Sequence, residues 1–109
     1  MESEAEKIAV LNDALRRHGT GGRIVITSGI QALGQEATNR ILRKVRAFDK
    51  FSEGNNPYGE RDFGAVSEGG EKIFWKINYY DRNMAYHSPD PADPTLTIRL
   101  LTIMLASEY

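Results

Sequence analysis

The sequence has no cysteine, which excludes disulfides and thiolate metal centres together. It has no apolar run approaching the ~18 residues that a membrane span requires, so no membrane partner is expected. It also lacks an excess of charge: 14 Lys+Arg against 15 Asp+Glu give a net charge of −1. Neither the strongly basic signature of a nucleic-acid binder nor a polyacidic mimic of DNA is present. Histidine is scarce, with His18 and His87 far apart in the chain. Without cysteine, two distant histidines leave no ligand set for structural zinc. Carboxylates at Glu60, Asp62, Asp81 and Asp90 could hold a cation, but turn and surface roles are the favoured reading, and no metal or cofactor is expected. The opening MESEAEKIAV is acidic and polar, the opposite of a secretory leader, so a cytoplasmic location is expected.

What is present fits a single domain over residues 1–109, with 40% apolar residues for a core and 27% charged residues for its surface. The balanced charge hides an asymmetry. Residues 1–52 carry nine basic and six acidic groups, whereas residues 53–93 carry four basic and eight acidic ones.

Ser3 followed by Glu6 has the form of a capping box, Ile8, Leu11 and Leu15 keep helical spacing, and Gly19 is a stop. A first helix is expected over about 4–18. Arg23-Ile24-Val25-Ile26-Thr27 is short and β-branched and is expected as a strand. Ser28 with Gln31 then opens a second helix, with Leu33, Ala37, Ile41, Val45 and Phe48 on its apolar face. Asn39, Arg43, Arg46 and Lys50 lie opposite. Asn56-Pro57-Tyr58-Gly59 has the pattern of a type I turn. Gly69-Gly70 joins 62–67 to 72–80 as a hairpin that pairs Val66 with Ile73, Gly64 with Trp75 and Phe63 with Lys76. Val66, Ile73, Trp75 and Ile77 then face the core, and Phe63, Phe74, Lys76 and Tyr80 face outward.

Asp93-Pro94 reads as the start of a third helix running to about Ser107. The expected class is α+β, in the order α-β-α-β-β-α, with a small antiparallel or mixed sheet and packed helices. At 100° per residue, helix three would carry an apolar arc of about 220°, wider than one sheet contact needs. A homodimer through that helix is therefore expected, against the alternative of a central helix in a monomer.

A resemblance is carried by Asn56-Pro57-Tyr58-Gly59-Glu60, Asp62-Phe63-Gly64, Phe74-Trp75-Lys76-Ile77 and Tyr79-Tyr80-Asp81. Ser88-Pro89-Asp90-Pro91-Ala92-Asp93-Pro94 and Leu101-Thr102-Ile103-Met104-Leu105-Ala106 add to it, as do Leu11-Asn12-Asp13 and Gly21-Gly22-Arg23. Together these resemble a family of short bacterial proteins known as domain of unknown function 3768. The resemblance implies no activity, since none is established for that family. Its pattern has Asp where this chain has Asn78, and often His where it has Arg61.

Chemistry must then be sought in the residues themselves. Asp62-Phe63-Gly64 matches the metal-binding triplet of protein kinases by letters alone, without the glycine-rich loop, strand lysine or length a kinase needs. Gly19-Thr20-Gly21-Gly22 precedes a strand, whereas a phosphate cradle follows one and opens a helix. His87 and Ser88 are sequence neighbours, an arrangement that rarely forms a triad. Glu60, Asp62, Asp81, His87 and Asp90 are the candidates for acid–base chemistry in a small hydrolase or lyase, against the plainer role of turn formation and solvation. The basic face of helix two has no interleaved aromatics, so a nucleic-acid-linked regulator is disfavoured. The aromatics lie in the acidic region instead. That favours a non-enzymatic module for a protein partner or small ligand, with Tyr58, Phe63, Lys76, Tyr80 and Tyr86 as contacts.

Overall fold

Four strands and three helices account for the regular structure of residues 3–109, which the computed structural model describes. Helix α1 (Glu4–His18) starts where the Ser3 hydroxyl accepts the Glu6 N–H, and it stops at Gly19 with φ 73°. Strand β1 (Gly22–Ile26) follows directly. The expected second helix is interrupted. Thr27, not Ser28, supplies the cap of a single turn, α2 (Ser28–Gln31), and Gly34 at φ 96° breaks the chain before α3 (Gln35–Ala47). The Thr38 hydroxyl of α3 ties the two pieces by donating to the Ile30 carbonyl of α2 at 3.4 Å.

Strands β2 (Phe63–Glu68) and β3 (Glu71–Tyr80) form the hairpin in the expected register, with Gly64 opposite Trp75 and Phe63 opposite Lys76. Gly69 and Gly70 both have positive φ, as a two-residue turn of this hand demands. The glycine at 64 has a different cause. A Cβ there would lie 2.5 Å from Trp75 Nε1 and 2.8 Å from Phe48 Cζ, so the indole packs against bare backbone.

The expected third helix does not form. Residues Ile98–Leu105 are strand β4, preceded by a turn in which Asp93 Oδ1 accepts the Thr95 N–H at 2.8 Å. The Asp93-Pro94 signal is thus a real turn, but it leads into a strand. Strand β4 pairs antiparallel with β3 and parallel with β1, giving the mixed order β1-β4-β3-β2. The apolar excess belongs to a strand paired along both edges: Arg99, Leu101 and Ile103 are buried under the helices, and the alternate residues lie on the opposite face. A seam on helix three therefore has no helix to form on. Beyond the end of β3 the chain turns back to make one isolated antiparallel bridge, between Tyr80 and His87.

Helices α1 and α3 cover one face of the sheet only. Ile8, Leu15, Ile41, Val45 and Phe48 meet Ile73, Trp75, Ile77, Leu101 and Ile103 in one core. Trp75 sits at its centre, edge-on to Phe48 and Phe51 at ring separations of 5.5 and 6.1 Å. The other face of the sheet has no helix packed across it, and most of its side chains are half-buried.

Candidate functional site

The open sheet face carries the residues that point away from the helices. These are Phe63 on β2, Phe74, Lys76, Asn78 and Tyr80 on β3, and Leu100, Thr102 and Met104 on β4. Phe63 and Phe74 approach to 5.1 Å between ring centroids. The Tyr109 ring stands nearly perpendicular to both, at 6.0 and 5.5 Å, after the terminal 3-10 turn Ala106–Glu108 folds back over the sheet. That turn is pinned by Glu108, whose carboxylate accepts from the Thr27 hydroxyl at 2.7 Å and the Leu105 N–H at 2.8 Å. These bonds, the Thr27 one first, hold the Glu108 carboxyl below its ordinary pKa.

Beside the aromatic trio the sheet ends in a groove of about 240 Å³, lined by Tyr58, Asp62, Phe63, Lys76, Tyr109 and the loop at 54–57. The loop is set by local chemistry. The Gly59 N–H donates to the Asn56 carbonyl at 3.2 Å, closing the expected turn. Asn56 Oδ1 accepts the Arg61 N–H at 2.7 Å, and Arg61 takes φ 54° to redirect the chain into β2. Asp62 lies 3.9 Å from Lys76 Nζ across the groove, a loose pair with both side chains partly exposed.

Three of the five expected contacts, Tyr58, Phe63 and Lys76, therefore line one groove. Tyr58 is 80% exposed within it. Tyr80 lies on the same sheet face but four residues along β3, about 13 Å from Lys76 at ~3.3 Å per residue. Tyr86 is 77% exposed in the loop beyond Tyr80.

The five acid–base candidates are dispersed. Asp81 Oδ1 accepts the Ala85 N–H at 3.0 Å and Asp90 Oδ1 the Ala92 N–H at 3.2 Å, so both are turn formers. Asp62 belongs to the groove. Glu60 accepts the Tyr79 hydroxyl proton at 2.8 Å, and the exposed His87 ring lies edge-on to Tyr79 at 6.1 Å. No group of three metal-ligating side chains exists among the described residues.

What the sequence reading missed is a buried polar network on the core side. Asn12 is fully buried on α1; it donates to the Tyr79 hydroxyl at 2.8 Å and to the Glu60 carbonyl at 3.0 Å. Arg99 donates to Asn12 Oδ1 at 3.0 Å and to the Pro91 carbonyl, with its guanidinium over the Tyr79 ring. Arg16, also buried, donates to the Val45, Arg46 and Phe48 carbonyls and to Asp13. Asp13 is shared with Arg61, 2.7 Å away.

Burial is the first cause that pushes the Tyr79 hydroxyl pKa up, and its bond to Glu60 adds to this. Tyr79 is thus held protonated, donating its hydroxyl hydrogen to Glu60. Burial likewise lowers both arginines, although guanidinium stays charged. The network fastens the loops before β2 and before β4 to α1. Its one sequence signal is polar Asn12 and Arg16, spaced i, i+4, on the face of Ile8 and Leu15.

No curated protein and no solved structure matches the chain. No described helix is long and apolar enough to cross a membrane. A sequence comparison does match over residues 26–108, which hold strands β2, β3 and β4 and every wall of the groove except Tyr109, and on that match the chain belongs to the family described as "Protein of unknown function (DUF3768)".

Proposed function

We propose that this domain is a non-enzymatic binding module that docks a protein segment on its open aromatic sheet face. The observation that carries the reading is the convergence of Tyr58, Phe63 and Lys76 on one groove beside Asp62. Aromatic side chains present large contact area with few rotatable bonds, which makes them efficient anchors. Tyr58 and Tyr109 offer ring faces, and Asp62 offers a carboxylate whose only ion-pair partner among the described residues is loose. A partner segment with an aliphatic side chain and a neighbouring Lys or Arg complements that lining, through cation–π and charge contacts together.

The test compares the native chain with Phe63→Ala/Tyr80→Ala as bait in a lysate of the source cell, both checked for native folding by Trp75 fluorescence. A partner retained by the native bait and lost, by tenfold or more, from the double variant supports the reading. Retention of no partner, or equal retention by both baits, refutes it.

A further inference from the structure

At the opposite edge of the sheet from the aromatic groove, a second cleft of about 290 Å³ opens between the start of β1 and the loops before β4. Two arginines are among its walls, Arg23 from β1 and Arg82 from the turn after β3. Its remaining walls are the Gly21-Gly22 backbone, Pro94, Thr97 and Ile98, and no carboxylate is among them. The acids nearest in sequence are turned to their own chain: the Asp81, Asp90 and Asp93 oxygens accept backbone N–H groups at 2.8–3.2 Å. Neither Arg23 nor Arg82 has an ion-pair partner among the described residues. The one side-chain hydrogen bond of Arg23 among the described residues runs from its Nη1 to Met84 Sδ at 3.3 Å, which anchors its guanidinium beside the turn that carries Arg82.

Two like charges facing one concavity repel, and a shared anion relieves that repulsion. Planar guanidinium forks match the oxygens of a phosphate or carboxylate in pairs. Gly21, at φ 83° and with nothing within 4 Å of a would-be Cβ, leaves the backbone at the cleft floor open to approach. We propose that this cleft is an oxyanion site, which takes a phosphate group between Arg23 and Arg82 and lays any organic remainder against Ile98 and Pro94. It lies at the far sheet edge from the groove, where Ile98 pairs with Tyr80 at the end of the docking face, and it stands or falls without the docking reading.

Titration of the ¹⁵N-labelled chain at low ionic strength, with inorganic phosphate and separately with phenyl phosphate, tests the site by amide shifts. The expected result is saturable shifts confined to Gly21, Gly22, Arg23, Arg82 and Ile98, with affinity weakened at least tenfold in Arg23→Gln/Arg82→Gln. Tighter binding of the ester than of the free ion assigns the site to phosphate esters, and the reverse assigns it to inorganic phosphate. Because both arginines are exposed, the variant should keep the native unfolding midpoint, and Arg43→Gln/Arg46→Gln on α3 serves as a charge-matched control. Absence of saturable shifts, or equal weakening by the control pair, overturns the proposal.

Discussion

Arg16→Met isolates the part played by a buried cation in closing the core. Arg16 leaves α1 and places its guanidinium at the C-terminal end of α3, where the last carbonyls of a helix have no partner of their own. It donates to Val45 O at 2.9 Å, Arg46 O at 3.1 Å and Phe48 O at 2.9 Å. The positive charge there also meets the negative end of the helix dipole. Methionine keeps most of the volume and removes all of these bonds. Each hydrogen bond from a charged donor is worth about 1.5–3 kcal/mol, and each carbonyl left dry costs about 1–3 kcal/mol.

Opposing this, the native chain bears the desolvation of a cation whose side chain is 0% exposed and whose Nε has no acceptor. Asp13 is not orphaned, because Arg61 still holds it. Arg46 O is only part-buried and can turn to water. We therefore expect a net loss of about 3 kcal/mol, within the range for breaking a buried charged group from its partners.

The assay is urea unfolding followed by fluorescence of Trp75, the single tryptophan, whose ring lies 5.1 Å from the Arg16 guanidinium carbon. With a slope of about 1.5 kcal/mol per molar urea, the midpoint should fall by about 2 M. Arg16→Lys keeps the charge but not the planar fork, and it should recover only part of the loss. An unchanged or raised midpoint in Arg16→Met would refute the reasoning, since desolvation of the cation would then outweigh everything it bonds.

The close approach of Trp75 to β2 predicts that Gly64→Ala lowers stability by about 1–3 kcal/mol through overpacking, although alanine suits a strand better than glycine does. Chemical denaturation checks this, and a neutral or stabilising result would mean that Trp75 and Phe48 can shift freely. Acid should weaken the domain through Glu68, Asp93 and Glu108. The Arg40 and Lys44 bonds lower the Glu68 pKa, the Thr95 bonds lower that of Asp93, and the Thr27 bond lowers that of Glu108. A lowered folded-state pKa adds stability that is fully present above the ordinary carboxylate values and lost as pH falls through the lowered ones. The midpoint should therefore hold from pH 7 to 5 and fall below about pH 4, and Glu108→Gln should reduce that fall.

The hairpin was readable residue by residue because its information is local. Gly69-Gly70 fixes the turn, and strict alternation from Val66 through Ile77 fixes which face is inside. The ends of α1 were readable for the same reason, with a cap at Ser3 and a left-handed stop at Gly19. Residues 98–105 were not. An apolar run with residues facing both ways satisfies a buried helix and a central strand alike, and only the presence of β1 and β3 on either side decides between them. Gly34 broke a helix whose periodicity ran straight through it, because apolar spacing does not report a positive φ.

The groove was legible as far as its walls are local, from the Asn56–Gly59 turn and from the outward positions of the hairpin. Tyr109 was hidden as a wall, since a helix in place of β4 would have carried it elsewhere. The polar network was hidden more deeply. Arg16 is satisfied by carbonyls some thirty positions away, and a carbonyl leaves no signature in a sequence.

Strand β4 separates β1 from β3 in space but follows both in the chain. A polypeptide emerging from its N-terminus presents β1 first, with Ile24 and Val25 exposed and no neighbour to hydrogen-bond with. The β2–β3 hairpin comes next and can close by itself, but its inner edge stays open. The two pieces have no native contact within the sheet until residues 98–105 arrive to fill the gap. Sheet assembly is therefore a late, long-range event and cannot proceed strand by strand during synthesis, as ribosome-stalled chains would show by remaining protease-sensitive until β4 has cleared the exit tunnel.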